Sequence, residues 1–185
     1  MHGVVALAGR RVDADLPGGA VRFPGRLVPI VRERIRALLA GGSAASLVCS
    51  AACGADLLAL EAAGRLGLRR RVVLPFTPDR FRGTSVTDRP GAWGDLYDDA
   101  IGAVLAAGDL VVLNEVGSDD DAYAATTRAI LDEAQALAAR AAPAGQVSAV
   151  IVWDGSPRGP GDLTAGFADE ARTRGIPVSE ISTLE

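Results

Sequence analysis

A chain of 185 residues with 49% hydrophobic side chains has enough apolar material for a core held without disulfides or metals. Its formal charge of -4, from 23 acidic and 19 basic residues, argues against binding nucleic acid through bulk electrostatics. Every basic residue is arginine, so neither a Walker-type phosphate lysine nor a Schiff-base lysine is available. The N-terminus lacks a signal-peptide pattern and no apolar run is long enough to span a bilayer, which predicts a cytoplasmic chain without membrane contact. Two cysteines, Cys49 and Cys53, suit a reducing compartment. With His2 as the only histidine, no metal cluster is expected.

Val4 to Ala8 reads as a buried first strand, followed by the Gly9-Arg10-Arg11 loop. A turn-rich stretch leads to a helix stripe of Val28, Ile30, Val31, Ile35, Leu38 and Leu39, ended by Gly41-Gly42. The second strand is Leu47 to Ser50. It enters a turn of small residues, Ser50-Ala51-Ala52-Cys53-Gly54, and a second helix from about Ala55 to Leu66. Arg71 to Leu74 forms the third strand, and Arg69-Arg70-Arg71 before it reads as a solvated patch. An irregular segment from Phe76 to Pro90 follows, of a length that is more often functional than idle. Trp93 to Leu105 marks the third helix and Asp109 to Asn114 the fourth strand. Asp119-Asp120-Asp121 suits the first turn of a fourth helix running to about Ala142. Val147 to Trp153 is the fifth strand, Leu163 to Arg174 the fifth helix, and Pro177 to Ile181 a short last strand.

Strands and helices alternate throughout, and the strands are too apolar for a one-sided sheet. The pattern predicts one domain over 1–185, a three-layer α/β/α fold with a mainly parallel sheet of five or six strands. Ligands on such folds bind at the carboxyl ends of the strands, where the strand order reverses. That rim collects Arg10, Arg11, Arg80, Arg82, Arg89 and Arg158 beside the Ser50 to Asp56 turn. Guanidinium groups, small residues and helix N-termini together are a phosphate-binding arrangement. Asp56, Asp154 and Asp162 can accept hydrogen bonds from ribose hydroxyls or a base amine; Asp56 can equally cap its helix or brace the neighbouring loop. Cys53 near a helix N-terminus is either a thiol of lowered pKa or a packed, inert side chain.

The catalytic inventory is thin. Gly-x-Ser-x-Gly, Gly-x-x-x-x-Gly-Lys, Cys-x-x-Cys and Gly-x-Gly-x-x-Gly after the first strand are all missing. Hydrolysis of an N-glycosidic bond by a carboxylate, Glu115 or Asp154, is the enzyme alternative that remains.

At Ser50-Ala51-Ala52-Cys53-Gly54-Ala55-Asp56-Leu57-Leu58-Ala59, followed by Glu61-Ala62-Ala63, the chain resembles the SLOG superfamily. This Rossmann-like group includes the LOG phosphoribohydrolases, the DNA-processing protein A fold and nucleotide-sensing domains. Ala8-Gly9-Arg10, Val152-Trp153-Asp154-Gly155 and Gly161-Asp162-x-Thr164-x-x-Phe167 are similar to bacterial members as well, so the resemblance covers most of the chain. It implies a Rossmann-like nucleotide-binding or signal-sensing module for AMP, ADP-ribose or a related ligand, with no other cofactor expected. The implied ligand-binding residues are Gly9, Arg10, Ser50, Ala51, Ala52, Cys53, Gly54, Asp56, Thr77, Arg82, Asp154, Gly155, Asp162 and Thr164. The Ser50 to Gly54 turn would lie under a phosphate or ribose. The resemblance also implies an effector protein as partner and a homodimer. The LOG signature Pro-Gly-Gly-x-Gly-Thr-x-x-Glu after the fourth strand is replaced here by Asn114-Glu115-Val116-Gly117-Ser118-Asp119-Asp120-Asp121, which removes the glycine cradle and the spaced glutamate of those hydrolases. Single-strand DNA binding, as in the DNA-processing relative, is disfavoured by net acidity and by scarce stacking aromatics.

Overall fold

The computed structural model describes residues 3–14, 18–113, 117–141 and 144–185. Six strands among these form one sheet: β1 Gly3–Gly9, β2 Ala44–Cys49, β3 Arg69–Leu74, β4 Leu110–Val112, β5 Val147–Trp153 and β6 Val178–Ser182. Their order is β4-β3-β2-β1-β5-β6, and every pairing is parallel. Six α-helices connect them: α1 Val28–Gly41, α2 Ala55–Arg65, α3 Pro78–Ser85, α4 Trp93–Ala106, α5 Asp119–Arg140 and α6 Leu163–Thr173. This is the Rossmann-like α/β/α arrangement, with the sheet wholly parallel.

Alternation along the strands divides the core in two. Val5, Leu7, Leu47, Val72, Leu74, Val150 and Val152 face a layer made by α1, α2 and α4, where Ile35, Leu58, Leu60, Tyr97 and Val104 meet them. Val4, Ala6, Val48, Val73, Ala149 and Ile151 face the opposite layer, filled by Ile130, Leu131 and Ala134 of α5 and by Phe167 and Ala171 of α6. Parallel strands buried on both faces must read as continuous apolar runs, as these do. Helix α2 lies against both α1 and α4. Of its eleven residues eight are buried, Asp56 among them, so a charged side chain enters a helix that is otherwise core.

The chain winds from β1 out to β4, then crosses back under α5, which touches β3, β2, β1 and β5. The sheet continues from β1 in the other direction through β5 and β6. Strand order therefore reverses between β1 and β5, and the carboxyl ends of these two strands open a crevice there.

Two expectations need correction. The segment after β3 is not irregular: Pro78 at the first helical position, with its φ preset, starts the helix α3. Gly83 inside it, and a mean polarity that leaves only Phe81 and Ser85 buried, hid the helical period. The three arginines before Val72 belong to β3, which already begins at Arg69. Arg69 is solvent-exposed as expected, but Arg71 is largely buried and the patch is partly spent in ion pairs. Arg69 pairs with buried Asp109 at 2.6 Å, and Arg71 bridges Asp109 at 3.0 Å and Glu133 at 2.7 Å. A charged strand start is held by the carboxylate of the turn before β4. The predicted strand end at Asn114, the catalytic candidate Glu115 and the helix end at Ala142 lie outside the described residues. No helix among the described residues is long and apolar enough to cross a membrane.

Candidate functional site

A cleft of about 420 Å³ opens at the strand-order reversal. Its floor is Leu7, Ala8 and Gly9 from the end of β1. One wall is the turn before α2, with Ser50, Ala52 and Asp56; the others come from α3, α5 and α6. A larger, shallower depression of about 670 Å³ runs between Val12, Arg26 and the start of α4. There Trp93 is already buried and its indole N–H donates to the Pro90 carbonyl, so that face offers no comparable buried polar group.

The backbone beneath the cleft is held by two glycines. A Cβ on Gly9 would lie 2.4 Å from the Ala55 Cβ, and one on Gly54 would lie 2.7 Å from the Arg10 carbonyl oxygen. Gly54 also has φ 102°, a conformation that L side chains rarely adopt. These glycines let the start of α2 press against the end of β1, sealed by the Ala55 N–H donating to Arg10 O at 3.1 Å. They serve packing, and the same contacts consume donors that an anion would need. Cys53 N–H donates to Ser85 O at 3.0 Å, and Ala52 N–H donates to Asp56 Oδ2 at 3.2 Å. The helix ends across the cleft are likewise occupied. At α5, Ser118 and Asp121 form a reciprocal capping box; at α6, Asp162 accepts from the Thr164 and Ala165 N–H groups.

What remains open is the Asp56 side chain. It is 7% exposed, and the bond from Ala52 is the single hydrogen bond to its carboxylate among the described residues. Burial in the core helix, only partly offset by the Ala52 N–H and the charge of Arg11, pushes the carboxyl up to about 7. Nearby, the buried Ser50 Oγ has no hydrogen-bond partner among the described residues. Thr164, 4% exposed, lines the same cleft, and its hydroxyl makes no hydrogen bond among them. The cations of the cleft are Arg11 and Arg158. Arg11 pairs with Asp88 through one terminal nitrogen, while its buried Nε has no partner. Arg158 keeps a half-exposed side chain, 3.5 Å from Asp162. On α5, Tyr123 stands edge-on to Phe76 at 5.6 Å between ring centroids and shares a hydrogen bond with Ser85 at 2.8 Å, giving a partly aromatic wall.

Of the residues expected at the site, Gly9, Ser50, Ala52, Asp56 and Thr164 line the cleft. Three others form a separate buried ion cluster. Arg10 donates through Nε to Asp154 at 2.7 Å, through one terminal nitrogen to both oxygens of Asp162 at 2.9 and 2.7 Å, and through the other to Ser156 O at 2.6 Å. Arg22 reaches the second Asp154 oxygen at 2.6 Å. This network fastens the loop after β5 to the end of β1, and it engages all three guanidinium nitrogens of Arg10 inside the protein. Burial works to raise both carboxyls, but Arg10 and the backbone N–H groups outweigh it. Asp154 falls below its usual range, and Asp162 falls to about 2. Gly155, at φ 86°, turns the chain inside that loop. Thr77 stands before α3, and Arg82 points away to pair with Asp98 at 2.9 Å. Ala51 and Cys53 are packed in the core, and burial raises the Cys53 thiol against the influence of Arg11.

Sequence reasoning missed the α5 wall; the Thr77 to Arg89 segment was expected at the rim, and α3 within it lines the cleft through Phe81, Thr84 and Ser85 rather than through its arginines. Tyr123, Thr126 and Thr127 recur at helical spacing with Ile130 and form one cleft-facing stripe. That polar interruption of an apolar face was the available signal. Among the described residues no group of three or more His, Cys, Asp or Glu is placed to hold a metal.

The fold and the cleft together define an α/β protein with a small-molecule-sized crevice at its strand-order reversal and a buried, under-bonded carboxyl in the wall. The chain matches no protein-family model, and no curated protein matches it at significance.

Proposed function

We propose that the chain is a nucleotide-binding or nucleotide-signal-sensing module of SLOG type, taking AMP, ADP-ribose or a related ligand and passing occupancy to an effector protein. The observation that carries this reading is the crevice itself. At the reversal point it combines a carboxyl held near 7, two free hydroxyls, two arginines and an aromatic wall. Hydroxyls and carboxylate suit a sugar or a base amine, the guanidinium groups a phosphate, and the aromatic wall a base. Isothermal titration with the four 5′-nucleoside monophosphates, ADP-ribose, NAD and cyclic nucleotides tests it. Saturable binding of at least one is expected, and a folded protein that binds none contradicts the reading.

One observation favours a second reading, N-glycoside hydrolysis of a nucleoside monophosphate. A carboxyl that titrates near neutral pH inside a cleft is equipped to exchange a proton with a leaving base. Asp154 is unsuited to that task, since Arg10 and Arg22 hold both its oxygens. Release of free base, abolished in Asp56→Asn, would establish hydrolysis; intact nucleotide after long incubation would exclude it.

A further inference from the structure

Resting on the nucleotide reading, the direction in which a ligand lies in the cleft follows from which groups are spent and which are free. The turn before α2 is where a phosphate is expected from sequence, yet the N–H groups of Ala52, Cys53 and Ala55 already have acceptors within the protein. A carboxylate stands in the same wall. A phosphate there would meet the Asp56 carboxylate and find those three N–H groups already engaged. Asp56 instead offers one carboxylate oxygen with no donor, in a side chain more than nine-tenths buried. The Ser50 hydroxyl is buried without a partner, and the Thr164 hydroxyl is unpartnered in a residue buried to the same degree. An acceptor on the same turn as the Ser50 hydroxyl matches a group that donates hydrogen bonds and carries no negative charge. Thr164 lies on the Arg158 side, both donating backbone N–H groups to Asp162. Of the two cleft arginines, Arg11 is paired with Asp88 and its charge acts on Asp56. Arg158, half-exposed at the rim before α6, meets Asp162 through Nε at 3.5 Å and keeps its terminal nitrogens without an acceptor among the described residues.

We propose that the Asp56 pole of the cleft takes a vicinal diol, the sugar of the ligand, and that Arg158 at the opposite rim takes its phosphate. The sugar hydroxyls donate to the Asp56 carboxylate and accept from Ser50. The ligand thus lies reversed relative to a helix-cradled phosphate.

Titration calorimetry of AMP, or of whichever 5′-monophosphate binds tightest, against its 2′,3′-dideoxy analogue and its nucleoside tests the assignment. Loss of the diol weakens binding about tenfold or more, the value of hydrogen bonds to a charged acceptor. Asp56→Asn, which keeps an acceptor for the Ala52 N–H, weakens the monophosphate by a similar factor and leaves the dideoxy analogue unchanged. Arg158→Ala weakens the monophosphate but not the nucleoside. A dideoxy analogue that binds as tightly as its parent overturns the assignment, as does tighter monophosphate binding by Asp56→Asn. Amide spectra with D-ribose alone separate the two levels. If no nucleotide binds but ribose shifts the Ser50 and Asp56 amides, the nucleotide reading fails and the diol site stands. If neither ribose nor any nucleotide shifts them, the diol site falls too.

Discussion

Asp56 and Asp162 are both buried aspartates at the start of helices at this end of the sheet, yet they are opposites in chemistry. Asp162 caps α6, accepts three backbone N–H groups and binds Arg10 with both oxygens. Its carboxyl is held at about 2. Asp56 accepts a single backbone N–H, faces an open cleft and is pushed to about 7. Burial raises both; partners decide the outcome. A carboxylate whose hydrogen bonds are all made inside the protein holds the fold together. One left under-bonded costs stability, and its place in a cleft points to a partner from outside.

The contrast is broken most severely by removing the cation. Arg10→Ala strands Asp154 and Asp162 without their shared guanidinium, which should cost about 3–5 kcal/mol, the usual penalty for breaking a buried ion pair. Thermal unfolding should show a fall of roughly 10 °C for a chain of this size, and ligand affinity in the surviving folded fraction should be little changed.

Asp56→Asn should act in the opposite direction. Raising a carboxyl from 3.8 to about 7 corresponds to on the order of 4 kcal/mol against its ionised form. The amide avoids that cost, so urea unfolding at pH 8 should show a gain of about 2 kcal/mol, with little gain at pH 4. Loss of ligand binding in the same variant would mark Asp56 as stability given up for function.

The pH profile separates the two aspartates without substitution. Asp162 is ionised more readily in the folded protein, so its contribution is present above about pH 4 and fades as pH falls towards 2. Asp56 holds a proton that the unfolded chain has released, so its contribution is full below about pH 4 and is lost as pH rises through 7. Unfolding free energies measured from pH 3 to 8 should therefore decline between about 4 and 7 in the wild type, and Asp56→Asn should flatten that limb. The smallest effect belongs to Thr164→Val. Its hydroxyl has no partner to lose, so stability should stay within about 0.5 kcal/mol by the same unfolding assay.

The sheet was legible because parallel strands covered on both faces must be continuous apolar runs; β5, Val147–Trp153, matches its predicted bounds. Helix α3 was not, since Gly83 and a polar surface blurred its period. The Ser50 to Asp56 turn was legible as a meeting of strand and helix, with Gly54 as one of its small residues. What the glycine serves was not, because its clash partner Arg10 lies 44 positions earlier in the chain. The same distance effect concealed the Arg10, Asp154 and Asp162 cluster. All three residues were read as facing a ligand, and their sequence separations of 144 and 152 give no local sign that they face one another. Asp56 was visible as a polar residue in an apolar helix, but that its second oxygen has no donor is a property of the assembled core alone.

The most direct test is a carbon-detected NMR titration of the Asp56 side-chain carboxyl, without ligand and then with saturating AMP or another binding monophosphate. A midpoint near 7 in the free protein, moving down when the sugar hydroxyls donate to the carboxylate, is the predicted result. A midpoint near 4 in the free protein, or one that does not respond to a bound ligand, would contradict it.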